Sequence, residues 1–485
     1  FVVFLSEGGG AMTEILSVGI DIGTSTSQVI FSRIAMENTS GYFSVPKVSI
    51  VEKEVVYKSK VYLTPLKTSV RIDGAAVREI VAEEYRLAGY GRGDVDTGAV
   101  IITGESARKE NAAEVLSQLS DLAGEFVVAT AGPDLESIIA GKGSGAWQYS
   151  IDHTCTTVNL DIGGGTTNIV MFHCGDTVAK GCLDIGGRLI RVKPDLEVER
   201  VSPAARRVAE ELGIFLRVGE PTTLRALSAI ADKMANLLTQ ALGLAPQEPL
   251  LRELQTPESS WFKPVGPVRH VCFSGGVADC MGAGPAGVPY GDIGVLLGRA
   301  MTRQLQGRAM VRIAGTETIR ATVVGAGTYT TTISGSTIAY AEDLLPLKNL
   351  PAVCLNEREQ AVCFSGQRGP LRERLSWFLG QSGADNVALA LAGVPDPDYQ
   401  MLKRLARCLA EEMDAALPPG MPVIILLEHD IAKALGLALR EVLGGRRKVI
   451  CLDGIQVQQG DYVDMGKPML EGMVIPLVVK TLLFG

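Results

Sequence analysis

Apolar positions along this chain recur with two periods, and the changes between them outline its elements. The segment ILSVGIDIGTSTSQVIFSRI (15–34) sets two β-branched apolar runs around a Gly/Ser/Thr cluster, which predicts strand, turn, strand. Residues 42–65 alternate in short β-rich pieces, and 74–88 carry helical spacing. A buried strand, a turn and an amphipathic helix are expected over 97–124, and a second β pair over 127–173 around VNLDIGGGTTNIVMF (158–172). Residues 203–242 are helix-rich with a break near Gly219–Pro221. VCFSGGVADCM (271–281) predicts a strand running into a glycine turn, with a helix at 291–306. Beyond 308 the pattern changes. A β-rich piece at 323–340 precedes strands at 386–393, 422–428 and 448–455, alternating with helices at 398–416 and 430–443. That alternation predicts a separate small α/β domain with a partly parallel sheet. The apolar stretch MVIPLVVKTLLF (473–484) carries Lys480 and falls short of the ~20 residues of a membrane helix, so it is expected to close a core as a strand.

Two distant segments repeat one another. DIGTSTSQVIF (21–31) aligns with DIGGGTTNIVM (161–171), with identity at Asp21/Asp161, Ile22/Ile162, Gly23/Gly163 and Thr26/Thr166. A hairpin tip of Gly and Ser/Thr exposes successive backbone N–H groups and hydroxyl donors, with no bulky side chain to keep a phosphate chain away. An aspartate just ahead of such a tip is placed to hold a hydrated Mg²⁺, which favours carboxylate, water and phosphate oxygens. Two facing copies would grip one nucleotide from both sides. The alternative is a chance likeness between two β-turns. A third piece, FSGGVAD (273–279), puts Gly275 and Gly276 after a buried strand, where the backbone can approach a flat ring or sugar; a plain tight turn is the other reading.

Composition narrows the chemistry. The 485 residues are 46% hydrophobic and 21% charged with a net charge of −8, which suits several globular domains and offers no basic stripe for nucleic acid. The nine cysteines include no C-x-x-C, and their number is odd, so they are expected to be ordinary thiols of a reducing cytosol. Of the four histidines only His173 adjoins a cysteine, Cys174, and neighbours on a strand point to opposite faces. A metal cluster is therefore not expected. The opening FVVFLSEGGGAM lacks the basic n-region and long h-region of a signal peptide, and Met12 is taken as the native start.

In their order, IDIGTSTS, LDIGGGTT and FSGGVAD resemble the first phosphate loop, the second phosphate loop and the adenosine loop of the ATPase superfamily of actin, sugar kinases and heat-shock chaperones. ITGESARKENAAEVL (102–116) and GDIGVLLGRAM (291–301) resemble its two connecting helices, and CLDIGGRLI (182–190) a Gly-Gly turn near the nucleotide. The resemblance implies an α/β chain with the actin-like ATPase fold: two ribonuclease H-like lobes around a nucleotide cleft, and an additional C-terminal α/β domain. The lobes would span 12–155 and 156–307, the extension 308–485, with 1–11 outside the fold. It further implies that Asp21 and Asp161 position Mg²⁺ and polarise the attacking water. Gly23, Thr24, Ser25 and Thr26, with Gly163, Gly164, Gly165, Thr166 and Thr167, would hold the phosphates of ATP, and Gly275 and Gly276 the nucleoside. Glu105 is a candidate for orienting the water; a helix-start carboxylate favoured by the dipole is the competing reading. Asp184 is expected to form a turn, and Lys142 and Arg188 to lie on the surface.

The layout from 14 to 485, with ITGESARKEN, is similar to the reactivating factors of bacterial ethanolamine ammonia-lyase. That likeness implies a chaperone-like partner of an adenosylcobalamin enzyme, working in the cytoplasm at the ethanolamine-utilization microcompartment. A small-molecule kinase, an actin-like filament protein and a polyphosphate phosphatase are the rivals within the superfamily. The extension beyond 308 suits a partner-engaging domain better than any of them.

Overall fold

The computed structural model describes residues 3–5, 11–24, 26–38, 48–68, 71–104, 106, 109–120, 122, 127–129, 132–257, 259–282, 286–329, 331–334, 338–367, 370–382, 386–394, 397–457, 459, 461–468, 472 and 474–481. The chain opens with three antiparallel strands, β1 (Ala11–Ile22), β2 (Thr26–Asn38) and β3 (Val48–Lys58). Helix α1 (Gly74–Ala88) follows, capped by the Asp73 carboxylate and ended by Gly89 at φ 77. Its left-handed turn is one that glycine adopts without strain. Strand β4 (Thr97–Ile102), helix α2 (Ala112–Ser120) and strand β5 (Val127–Ala129) complete the unit. The sheet order is β3-β2-β1-β4-β5, with β4 and β5 parallel to β1. Val3–Leu5, in the segment expected to lie outside the fold, pairs antiparallel with Ala11–Thr13.

Two helices come next, α3 (Pro133–Gly143) and α4 (Ala146–Asp152). They occupy 133–152 within the span expected to hold a β pair; the pair itself begins at 156. The second sheet then repeats the first. Strands β6 (Thr156–Ile162), β7 (Thr167–His173) and β8 (Asp176–Leu183) are antiparallel, and β9 (His270–Ser274) and β10 (Val311–Ile313) add parallel to β6 in the order β8-β7-β6-β9-β10. Helices α5 (Pro203–Glu211), α6 (Leu224–Ala241) and α7 (Gly294–Leu305) belong to this half, whose core joins Leu227, Ile230 and Met234 of α6 to Leu160 and Met171 of the sheet.

Neither half ends where its sheet does. Helix α3 leaves the first sheet and packs on β6, β7 and β8 of the second; α8 (Ala321–Tyr329) leaves the second and packs on β1, β2 and β4 of the first. The two helices also pack on each other, and glycine lets their backbones touch. A methyl group on Gly143 would lie 1.9 Å from the Ala321 carbonyl oxygen, and one on Gly325 2.0 Å from that of Ile139. Thus α3 and α8 hold the place between the lobes that the sequence reading gave to 102–116 and 291–301. Helix α2 packs beside β4 and β5, and α7 beside α6. The expected boundary at 307/308 also falls short of β10, which is part of the second sheet.

The rest of the chain builds a seven-stranded mixed sheet. Its strands are β11 (Thr331–Ile333), β12 (Leu347–Cys354), β13 (Ala388–Leu391), β14 (Val423–Leu427), β15 (Val449–Leu452), β16 (Asp461–Met465) and β17 (Pro476–Thr481), in the order β11-β17-β16-β12-β13-β14-β15. Strands β12 to β15 are parallel and the other pairings antiparallel. Helices α9 (Glu357–Ser365), α10 (Pro370–Ser382), α11 (Tyr399–Ala416) and α12 (Ala432–Leu443) cover one face. The strands read as nearly continuous apolar runs because both faces are buried. No helix of the described residues is long and apolar enough to cross a membrane.

Candidate functional site

The two repeated turns are alike in backbone detail. The Gly23 N–H donates to the Thr26 carbonyl at 2.8 Å, and the Gly163 N–H to the Thr166 carbonyl at 2.9 Å. Behind each turn the residues that follow the next parallel strand supply the same support: Thr103 N–H donates to the Ile22 carbonyl and Val277 N–H to that of Ile162, both at 3.1 Å. Each aspartate also takes a hydroxyl from that strand. Thr103 donates to Asp21 Oδ1 at 3.0 Å, and Ser274 to Asp161 Oδ1 at 2.6 Å. Thr322, at the start of α8, lies 3.4 Å from Asp161 Oδ2. The turn 184–187 backs the second tip, with Gly187 and Arg188 N–H groups bonded to the carbonyls of Gly163 and Gly164. A methyl group on Gly186 would lie 2.5 Å from the Gly164 oxygen.

Both tips face one cleft of about 560 Å³. Asp21, Gly23, Thr24 and Thr26 line it from one side, and Asp161, Gly163, Gly164, Gly165 and Thr166 from the other. Gly275 and Gly276 line its further wall with Val277, Cys280 and Tyr290. Gly275 has φ +82, and a methyl there would meet the Ile162 oxygen at 2.4 Å, so only glycine suits the position. Thr167 stands apart: its fully buried hydroxyl donates to the Ile185 carbonyl at 2.7 Å. Ser25 and Glu105 lie outside the described residues. Asp184 accepts from Thr256 at 2.7 Å, which suits its turn role. Arg188, expected on the surface, lines the cleft and pairs with Asp292 at 3.4 Å, whereas Lys142 sits over the Trp147 ring.

Sequence reasoning missed Glu136. This carboxylate lies in the first turn of α3, is 7% exposed and lines the same cleft. Burial pushes its acid well above the ordinary range; the charges of Asp161 and Asp21 add to this, while the Gly104 backbone and Asn168 oppose it. Asp21 is pushed up to about 7, first by burial, with the Thr103 hydroxyl pulling the other way and Asp161 adding repulsion. Asp161 rises to about 6 through burial, against the hydroxyls of Ser274 and Thr322. Pro133 at the helix start, with Asp134 and Glu136 just after it, was the signal available for α3.

Three carboxyls that resist ionisation around one cavity call for positive charge. Among the described residues no three His, Cys, Asp or Glu side chains converge closely enough to hold a metal ion alone. Asp21 and Asp161, one from each side of the cleft, suit an ion that takes its remaining ligands from water and phosphate oxygens. Gln28 also lines the cleft, and its amide nitrogen donates to the Ile319 carbonyl at 3.1 Å.

Fold and cleft together define a two-lobed α/β protein with a cleft between twin turns. The chain belongs to the family of the ethanolamine utilisation protein EutA, whose model matches residues 13–485. It is 35% identical to the ethanolamine ammonia-lyase reactivase EutA of Salmonella typhimurium, over 97% of this chain and 99% of that one. To the Escherichia coli protein of the same description it is 34% identical, with the same coverage. Among solved structures, component A of the Acidaminococcus fermentans (R)-2-hydroxyglutaryl-CoA dehydratase superposes with a TM-score of 0.34 at 13% identity, covering 65% of this chain and 97% of that one.

Proposed function

We propose that this chain is an ATP-dependent, chaperone-like reactivating factor that releases damaged cobalamin from ethanolamine ammonia-lyase so that intact adenosylcobalamin can bind. The observation that carries the reading is kinship with reactivases over nearly the whole length of both chains. The repeated sheet topology and the twin turns support the actin-like ATPase fold for the two lobes, with the third sheet as the family's own extension. A cytoplasmic site of action at the ethanolamine-utilization microcompartment belongs to the same reading.

The chain's own groups suit the task. The N–H groups and hydroxyls of Thr24, Thr26 and Gly164 to Thr166 would bind the phosphates, with Gly23 and Gly163 closing the turns and leaving room for them, and Gly275 and Gly276 would admit the nucleoside. Asp21 and Asp161 would hold a hydrated Mg²⁺, which when bound spreads the phosphate charge. Glu136 would orient the attacking water and accept its proton, taking the part first considered for Glu105. Lobe closure on ATP and opening on ADP can do work on a partner only through the difference in affinity between the two arrangements.

The test mixes the protein with ethanolamine ammonia-lyase inactivated by bound cyanocobalamin, then adds free adenosylcobalamin with or without Mg-ATP. Recovery of deamination only with ATP, and its absence with Asp161→Ala, supports the reading. ATP hydrolysis without recovery would leave the cleft standing and sink the partner.

A further inference from the structure

The hairpin that carries the second tip has its open end on the far side of the lobe. There Thr156 lies opposite His173, and one step further out the Cys174 N–H donates to the Cys155 carbonyl at 3.2 Å. Cys155 turns its own N–H to the Ser150 carbonyl and Cys174 has φ 49, so the pair lies just past the ladder. The single shared bond still holds the two Cα atoms within about 7 Å, close to the roughly 4.4–6.8 Å span a disulfide bridges. The two thiols differ in setting. Cys174 is exposed, and its Sγ lies 3.7 Å from Nε2 of His173, whose Nδ1 is bonded to the Thr156 hydroxyl at 2.9 Å. Cys155 is half-buried, and burial together with the neighbouring Cys174 pushes its thiol up.

We propose that Cys174 and Cys155 form a thiol–disulfide exchange site for low-molecular-weight disulfides of the glutathione type. Cys174 is the entering nucleophile, being reached from solvent with an imidazole beside it to take its proton. Its thiolate attacks one sulfur of RSSR, the S–S bond breaks, and RS⁻ leaves and is protonated to RSH. Cys155 then loses its proton and attacks the Cys174 sulfur of the mixed disulfide, expelling the second RS⁻. Two protein thiols are oxidised to one disulfide, and one RSSR is reduced to two RSH. The closed bridge ties the root of the hairpin whose tip holds Asp161 and Thr166, and free RSH reverses it. Cys182, Cys272, Cys363, Cys408 and Cys451 are buried and serve as internal controls.

The test incubates the intact protein with glutathione disulfide, blocks remaining thiols and digests without reduction. Cleavage before aspartate separates Cys155 on 152–160 from Cys174 on 161–175, so only a bridge keeps the two peptides joined. The expected result is a joined pair in the wild type, a stable glutathione adduct on Cys174 in Cys155→Ser, and adduct formation slower by roughly tenfold or more in Cys174→Ser. Near-ultraviolet circular dichroism confirms that each variant is folded. A wild type that stops at the Cys174 adduct with the peptides separate overturns the proposal, as does equal reactivity of Cys155 and Cys174.

Discussion

At the residue scale, the cleft concentrates acids in a place that disfavours their charge. A carboxyl whose folded pKa is raised binds its proton more tightly folded than unfolded, so the folded state loses stability as pH rises from the unfolded value toward the folded one. For Asp21 that window runs from 3.8 to about 7, and for Asp161 from 3.8 to about 6. Asp21→Asn is therefore expected to stabilise the nucleotide-free protein above pH 7, by on the order of 2–4 kcal/mol, and to leave it unchanged near pH 4. Urea unfolding across pH measures this; a constant difference would mean that Asp21 acts through packing alone. Glu136 has a separate test. Glu136→Gln keeps the shape and removes the base, so ATP turnover should drop by about 10²–10⁴-fold while nucleotide affinity stays within a few-fold. A loss of affinity instead would make Glu136 a binding group.

These residues were not equally visible in the chain. The Gly/Thr tips could be found because backbone exposure demands small residues, and the demand is met twice in the same order. Glu136 could not be found that way. Its importance comes from α3 crossing to the second sheet, which brings it beside an aspartate from each half, and no local pattern encodes that crossing. The stretch 133–152 was also misjudged, since its glycines weaken the helical pattern. Gly141 and Gly143 exist for contact, whereas Gly145, at φ 87, turns the chain between α3 and α4.

At the scale of elements, α3 and α8 make the same point. ATVVGAGTY, rich in β-branched residues and glycine, suggests a strand, yet it is a helix wedged between the first sheet and α3. Tertiary packing overrides propensity there, as close backbone approach excludes anything larger than glycine at 143 and 325. Gly325→Ala should destabilise by about 1–3 kcal/mol or more, because the new methyl meets a backbone oxygen that cannot move aside. Gly380→Ala is the control: nothing lies within 4 Å of the added methyl, and removing a helical glycine should stabilise by about 0.5–1 kcal/mol. Thermal melts of the two variants should shift in opposite directions. The hairpin tips and the parallel strands of the C-terminal sheet were accessible to sequence reasoning, whereas α9 and α10 were not separated from their surroundings.

At the scale of the whole molecule, a ligand that holds both tips must couple the two halves. Nucleotide at about a hundred times its Kd should add about 2.7 kcal/mol to the stability of the folded state. Mg-ATP is thus expected to raise the melting temperature of the wild type by a few degrees and that of Asp161→Ala by far less. Equal shifts would place the nucleotide elsewhere.

The exchange of α3 and α8 between the halves also sets a limit on how the chain can be divided. A cut at 155/156 leaves α3 attached to a sheet it does not cover, and takes from the first sheet the helix that covers β1 and β2. Each fragment would then present a raw apolar face and carry a surplus helix. The path of the chain interlocks the two lobes, so neither is expected to stand as a separate folding unit.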